Sequence, residues 1–162
     1  MEPLRLPAEL LSMIERGVSV IVGSRDAQLR PSVMRAVGSR AGPGEGEITV
    51  YLSRPQSRQV LQDIAANGRI AVVFSQPSTH RSIQVKASVA ALRQADEQDR
   101  PQLARYLAAM EREIQLVGFA PELTRAMLAC RLEDVVAVSF RPEQAFDQTP
   151  GPRAGAALAG PA

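Results

Sequence analysis

Arg81-Ser82-Ile83-Gln84-Val85-Lys86-Ala87-Ser88-Val89-Ala90-Ala91-Leu92 carries the fold signal. Ile83, Val85, Ala87, Val89 and Ala91 fall on one side of an extended chain, and Ser82, Gln84, Lys86 and Ser88 on the other. A period of two is that of a strand with one face in a core and one face outside. Just before it, Ile70-Ala71-Val72-Val73-Phe74 is a continuous apolar run of strand length, closed by Pro77-Ser78-Thr79. Two strands joined by a short break, without a helix between them, pair antiparallel.

Working outward, the same arrangement recurs. Val18 to Gly23 and Leu29 to Gly38 are two β-rich runs around the polar turn Ser24-Arg25-Asp26-Ala27-Gln28, which predicts a hairpin. Residues 39–46 are turn chemistry throughout, and Glu47 to Ser53 is a further strand. Val135 to Phe140 is the last. Helices are predicted over Pro7–Arg16, stopped by Gly17, and over Ser57–Ala66, stopped by Asn67-Gly68. Asp96 to Val117 repeats apolar residues at three- and four-residue steps, and Pro121 opens a helix reaching Leu128. Six strands joined mostly through turns favour a small closed antiparallel barrel with flanking helices. Residues 1–148 form one domain in this reading, with the 96–128 helical pair packed on it. The Gly/Ala/Pro composition of residues 149–162 predicts a mobile tail.

Composition narrows the function. The chain of 162 residues is 45% hydrophobic, so it can fill a core, but only 4% aromatic, so that core is aliphatic. A net charge of +2 gives no argument for nucleic acid or a membrane surface. Of the 19 basic residues all but Lys86 are Arg, so a side chain that binds an anion here is an arginine. One Cys, Cys130, and one His, His80, leave no internal disulfide and no Cys/His zinc cage. Neither a signal peptide nor a membrane span is readable, and the expectation is a cytoplasmic protein.

Two places can carry chemistry. Arg35 shares a strand face with Val33 and Val37, where a cation either meets an anion or finds solvent or a carboxylate at the strand end. The stretch Tyr51-Leu52-Ser53-Arg54-Pro55-Gln56-Ser57-Arg58-Gln59 ends a strand and begins a helix. Ser57 at that helix start, with Arg58 beside it, is either an ordinary cap or a phosphate site.

Taken in order, these segments resemble the pyridoxamine 5′-phosphate oxidase-like family of flavin-binding split barrels. The likeness runs from about Gly17 to Ala90, through the hairpin, the strand ending Val50-Tyr51-Leu52-Ser53, and Ser57-Arg58-Gln59 in place of that family's Ser-Arg-Lys clamp. Gly68 to Phe74 and Arg81 to Ala87 follow in the same order. The resemblance implies a six-stranded antiparallel split β-barrel and a homodimer with FMN, or the deazaflavin F420, in a groove between subunits. Arg35 would contact the phosphate or ribityl chain, with Ala36 and Val37 lending backbone groups to the ring edge. Tyr51 and Leu52 would line the ring, Ser57, Arg58 and Gln59 would hold the phosphate, and Ser82 would sit near the ring. A reduced nicotinamide or small organic molecule would be the electron donor; the alternative is a non-catalytic binding or sensor barrel that holds FMN, F420 or another flat cofactor. Gln59 for Lys, Ser82 for Gln and Ala87 for Gly depart from the pattern, and the family's C-terminal substrate motif is missing. Pyridoxamine 5′-phosphate oxidase activity itself is therefore not expected, and haem is disfavoured by the lone His.

Overall fold

The structure, a computed structural model, describes residues 4, 6–42 and 46–158. Residues 43–45 of the expected turn, and 159–162 of the expected tail, lie outside the described residues. The elements run α1 (Ala8–Glu15), β1 (Ser19–Arg25), β2 (Pro31–Arg35), β3 (Gly38–Ala41), β4 (Ile48–Ser53), α2 (Arg58–Asn67), β5 (Ile70–Ser75), β6 (Ser82–Ala87), β7 (Ala90–Gln94), α3 (Arg100–Leu116), α4 (Pro121–Met127), β8 (Val135–Phe140) and β9 (Gln144–Asp147). They build two antiparallel sheets, ordered β2-β1-β5-β6-β9 and β3-β4-β8-β7. Nine strands among the described residues replace the six expected: the 81–92 run is divided into β6 and β7, and β3 and β9 are additional.

The division is sharp. The Ala36 N–H donates to Val20 O at 2.9 Å, within the first sheet, and the next N–H, of Val37, donates to Tyr51 O at 2.8 Å, within the second. The strand expected over 29–38 therefore ends with β2 at Arg35, and its last residue, Gly38, opens β3. The 81–92 run is split likewise at Ser88 and Val89. The corner also shifts the alternation by one residue. Ile83 and Val85 face the core, but Val89 is 74% exposed, and Ala90 and Leu92 stand opposite Phe140 and Val138 instead. An extra residue at a corner reverses which side chains face inward. β3 and β9 were not foreseen. β3 has no β-branched residue, and its pairing with β4 comes from its partner rather than its own propensity.

Between the sheets lies one aliphatic core, including Val20, Val22, Ile48, Val50, Leu52, Val72, Phe74 and Val85, all fully buried or nearly so. Each such side chain stabilises the fold by about 1.5–3 kcal/mol. α1 adds Leu10, Met13 and Ile14, and α2 adds Val60, Leu61 and Ile64. α3 lies against β3, where Leu103 covers the outer side of Gly38 and Tyr51. Its Tyr106 donates to Val18 O at 2.7 Å, and its Ala109 rests on Gly17, whose φ of +68° turns α1 into β1. Residues 149–158 of the expected tail run back along the sheet. The Gly155 N–H donates to Asp147 O and the Leu158 N–H to Ala145 O, so this segment borders β9.

Candidate functional site

Of the nine residues singled out in the sequence, five fall into two groups on opposite sides of strand β2 and four are enclosed. The first group is at the N-terminus of α2. Ser57 is 2% exposed, makes no capping bond, and its hydroxyl has no hydrogen-bond partner. It is one of five such buried atoms among the described residues and the only one of the five at a helix N-terminus. The first turn of α2 contains no acid, although the helix dipole favours one there, and instead carries the exposed cation Arg58. An orphaned hydroxyl, the unpaired N–H groups of a helix start and an adjacent arginine are the donors available at this end of α2.

Gln59 faces a different partner. Its Nε2 donates to Asp63 Oδ1 at 2.9 Å, while Ser32 Oγ donates to Asp63 Oδ2 at 2.5 Å. Asp63 is 4% exposed. The β2 residue that reaches α2 is therefore Ser32, and it meets a carboxylate. Sequence reasoning missed this trio. Its signal was an acid on the helix face that carries Val60 and Ile64.

The second group is on the outer face of the five-stranded sheet. Arg35 leaves β2 on the face opposite Ser32, and its guanidinium donates to Ser19 Oγ at 2.7 Å. Ser19 stands beside Ser75, and Ser75 beside Ser82, in the register of β1, β5 and β6. The hydroxyls of Ser75 and Ser82 are 2.8 Å apart, Ser82 Oγ reaches His80 O, and the Ser82 N–H donates to Thr149 Oγ1. Arg35 and a row of three hydroxyls thus share one surface, next to the half-buried pair Ile21 and Val73, beyond which Gln84 separates Val73 from Phe146 in the register. The structure brings Arg35 and Ser82 onto one face and places Arg58 elsewhere. The expectation on which the flavin assignment rests, that the segments of Arg35 and Arg58 converge on one phosphate group, is not met in this chain, because Arg35 turns away from α2 to Ser19.

Four residues expected to touch a ligand are enclosed. Ala36, Tyr51 and Leu52 are 0% exposed and Val37 is 5% exposed. The N–H groups of Ala36 and Val37 are already spent on the sheets. Leu52 points into the core. Tyr51 points to the outer face of the second sheet, under Leu103, and its hydroxyl donates to Asp99 Oδ1 at 2.8 Å. Asp99 also accepts two bonds from Arg93, at 2.6 and 2.7 Å. Those bonds to Arg93 hold the Asp99 carboxyl well below the usual carboxylate range, while burial first and the Asp99 bond second push the Tyr51 phenol up. This buried network fastens α3 to the barrel and leaves Tyr51 no surface for a cofactor.

No family model matches the chain, and no curated protein matches it in sequence. Solved structures do match it. HupZ from Group A Streptococcus superposes with a TM-score of 0.55 at 15% identity, covering 93% of this chain and 99% of its own. A pyridoxamine 5′-phosphate oxidase-related, FMN binding protein from Nostoc punctiforme gives 0.54 at 9% identity, with 94% and 89% covered. An F420 reductase gives 0.54 at 16% identity, with 86% and 98% covered. These likenesses establish the fold: the chain folds as the pyridoxamine 5′-phosphate oxidase-like proteins do. None of the described helices is long and apolar enough to cross a membrane.

Proposed function

We propose that this protein is a homodimeric FMN-binding oxidoreductase, with the phosphate of the cofactor at the N-terminus of α2. The observation that carries the reading is the Ser57 hydroxyl, buried and without a partner. Leaving such a group unsatisfied costs about 1–3 kcal/mol, and a phosphate oxygen would satisfy it. Arg58 would add a charge-assisted bond. Asp63 is six residues further along the helix, about 9 Å by helical rise, so it weakens the site without filling it. The residues fit one phosphate monoester, held by fewer cations than a Ser-Arg-Lys clamp would supply.

The Arg35–Ser19–Ser75–Ser82 surface is the other half of the reading. In one chain the filled barrel separates it from Ser57. A second copy would bring its own outer face to the first copy's α2. Bound FMN would supply the hydride chemistry, with a reduced nicotinamide or small organic donor. The protein would hold the phosphate through Ser57 and Arg58 and offer hydroxyls and a guanidinium to the rest of the molecule. F420 in place of FMN is the second reading, favoured by the likeness to the F420 reductase.

The test is the absorption spectrum of the purified protein, identification of any released chromophore, and titration with FMN. Ser57→Ala is the decisive variant. It should weaken FMN binding about tenfold, as loss of one bond to a charged group does, while leaving unfolding stability unchanged or raised. A variant that loses stability and keeps FMN affinity would make Ser57 a structural cap and refute the site. A bound flavin that stays oxidised with every donor would leave a cofactor holder in place of an oxidoreductase.

A further inference from the structure

We infer that the chain has a second anion site, separate from α2's N-terminus: a groove for a nucleoside monophosphate at the far end of the five-stranded sheet. The groove encloses about 540 Å³. Its floor is the register row Val33–Gly23–Ala71–Lys86 across β2, β1, β5 and β6. Gly23 and Ala71 in the middle leave a flat trough, with Val33, 61% exposed, at one end and Lys86 at the other. The row spans three strand spacings, about 14 Å, the length of a base with its ribose phosphate.

The packing of this chain does not require glycine at position 23. Its φ is not left-handed, and a β-carbon there would meet only ordinary contacts, the nearest at 3.6 Å. A missing side chain on a flat strand surface marks room for another molecule. The walls are cationic. Arg25 and Arg69 line the groove with Lys86, and Glu143 is the one acid against these three. Glu143 is itself occupied by the N–H and hydroxyl of Ser88. Lys86 lies 5.0 Å from the centre of the Phe146 ring and is engaged in no ion pair among the described residues. A flat apolar floor with an excess of cations at its edge suits an aromatic base that bears a phosphate.

The groove is at the other end of α2 from Ser57. Asn67, the last residue of the helix, donates from Nδ2 to Arg25 O at 2.6 Å and accepts from the Arg69 N–H at 2.8 Å. Ten helical residues place the two ends about 15 Å apart.

The experiment is calorimetric titration of the full chain with AMP and with adenosine, in wild type, Gly23→Val, Arg69→Gln and Arg58→Gln. AMP should bind saturably and adenosine at least tenfold more weakly. Gly23→Val, which fills the trough on a strand that tolerates valine, should lower AMP affinity tenfold or more at unchanged thermal stability, and Arg69→Gln should lower it several-fold. No saturable AMP binding, equal binding of adenosine, or AMP affinity that survives Gly23→Val would overturn the inference. So would affinity that falls with Arg58→Gln alone, because it would put the phosphate at α2.

Discussion

Replacing Asp63 by Asn should strengthen the hold on FMN without changing the hold on riboflavin. Asp63 is buried beneath the first turns of α2, six residues from Ser57, or about 9 Å along the axis. A unit charge at that distance acts on another with about 0.5 kcal/mol in water and about 2 kcal/mol at an effective dielectric of 20. A phosphate monoester carries about −1.5 to −2 near neutral pH, so removing the carboxylate charge is worth about 1–3 kcal/mol. That range corresponds to about fivefold to a hundredfold in Kd, and about tenfold is expected once salt screening is included. Asn preserves the local bonds, because its Oδ1 can still accept from Gln59 and its Nδ2 can donate to Ser32 Oγ. The assay is flavin fluorescence quenching, with both ligands titrated against both proteins at low and at physiological salt. The FMN-to-riboflavin affinity ratio should rise in the variant, and more at low salt. If both ligands gain or lose equally, Asp63 does not face the phosphate. If neither ligand binds wild type or variant, the flavin reading itself fails, which is a separate outcome.

Asp99→Asn should cost about 1–2 kcal/mol in urea unfolding at neutral pH, because Asp99 is buried while its partner Arg93 is half-exposed and solvent screens part of the pair. Asp99 has a depressed pKa in the folded state, so its contribution is present above the unfolded value, near pH 3.9, and is lost as pH falls below it. The gap between wild type and variant should therefore close in acid. Gly17→Ala should destabilise by about 2 kcal/mol or more, since φ is +68° and the new carbon would stand 2.6 Å from Ala109 Cβ; a thermal melt within 2 °C of wild type would contradict the packing of α3 on that turn. Val73→Asp puts a charge on the outer sheet face, between Ile21 and Gln84 in the register. If the proposed dimer forms through this face, sedimentation should show a dimeric wild type and a monomeric variant with native circular dichroism; equal coefficients for the two would refute that interface.

The architecture was legible where alternation or an apolar run reports burial directly. β1, β5 and β8 lie where their runs lie, and α1, α2 and α4 stop within a residue or two of the predicted ends. What the pattern could not report is direction. Ala36-Val37 and Ser88-Val89 look like strand interior, yet they are corners, because the bonding partner of an N–H is set by which sheet it reaches. β3, built from Gly38, Ser39, Arg40 and Ala41, reads as a turn by composition and becomes a strand only because β4 presents an unpaired edge. The site was half legible for a related reason. Ser57 and Arg58 are local to one helix start, and a local reading finds them. That Tyr51 lines a ring is an expectation of the family resemblance alone. Its environment is set instead by Asp99, 48 residues away, on a segment whose acids read as an ordinary helix start.

The two half-sites bear on each other through the barrel interior. A molecule touching both Ser57 and Ser82 within one chain would have to pass the wall formed by Val20, Val22, Val72 and Phe74, each 0% exposed. A filled interior of this kind admits no ligand without unfolding. If both groups serve one cofactor, they must come from different copies, and assembly and cofactor binding become one equilibrium. Two variants separate this coupling from its alternatives. Ser57→Ala removes a contact and should leave a dimer with weakened FMN. Val73→Asp removes the second copy and should lose FMN although Ser57 and Arg58 are intact. A monomeric Val73→Asp protein that binds FMN as tightly as wild type would show that the α2 terminus works alone, and that the hydroxyl row beside Arg35 has some other role.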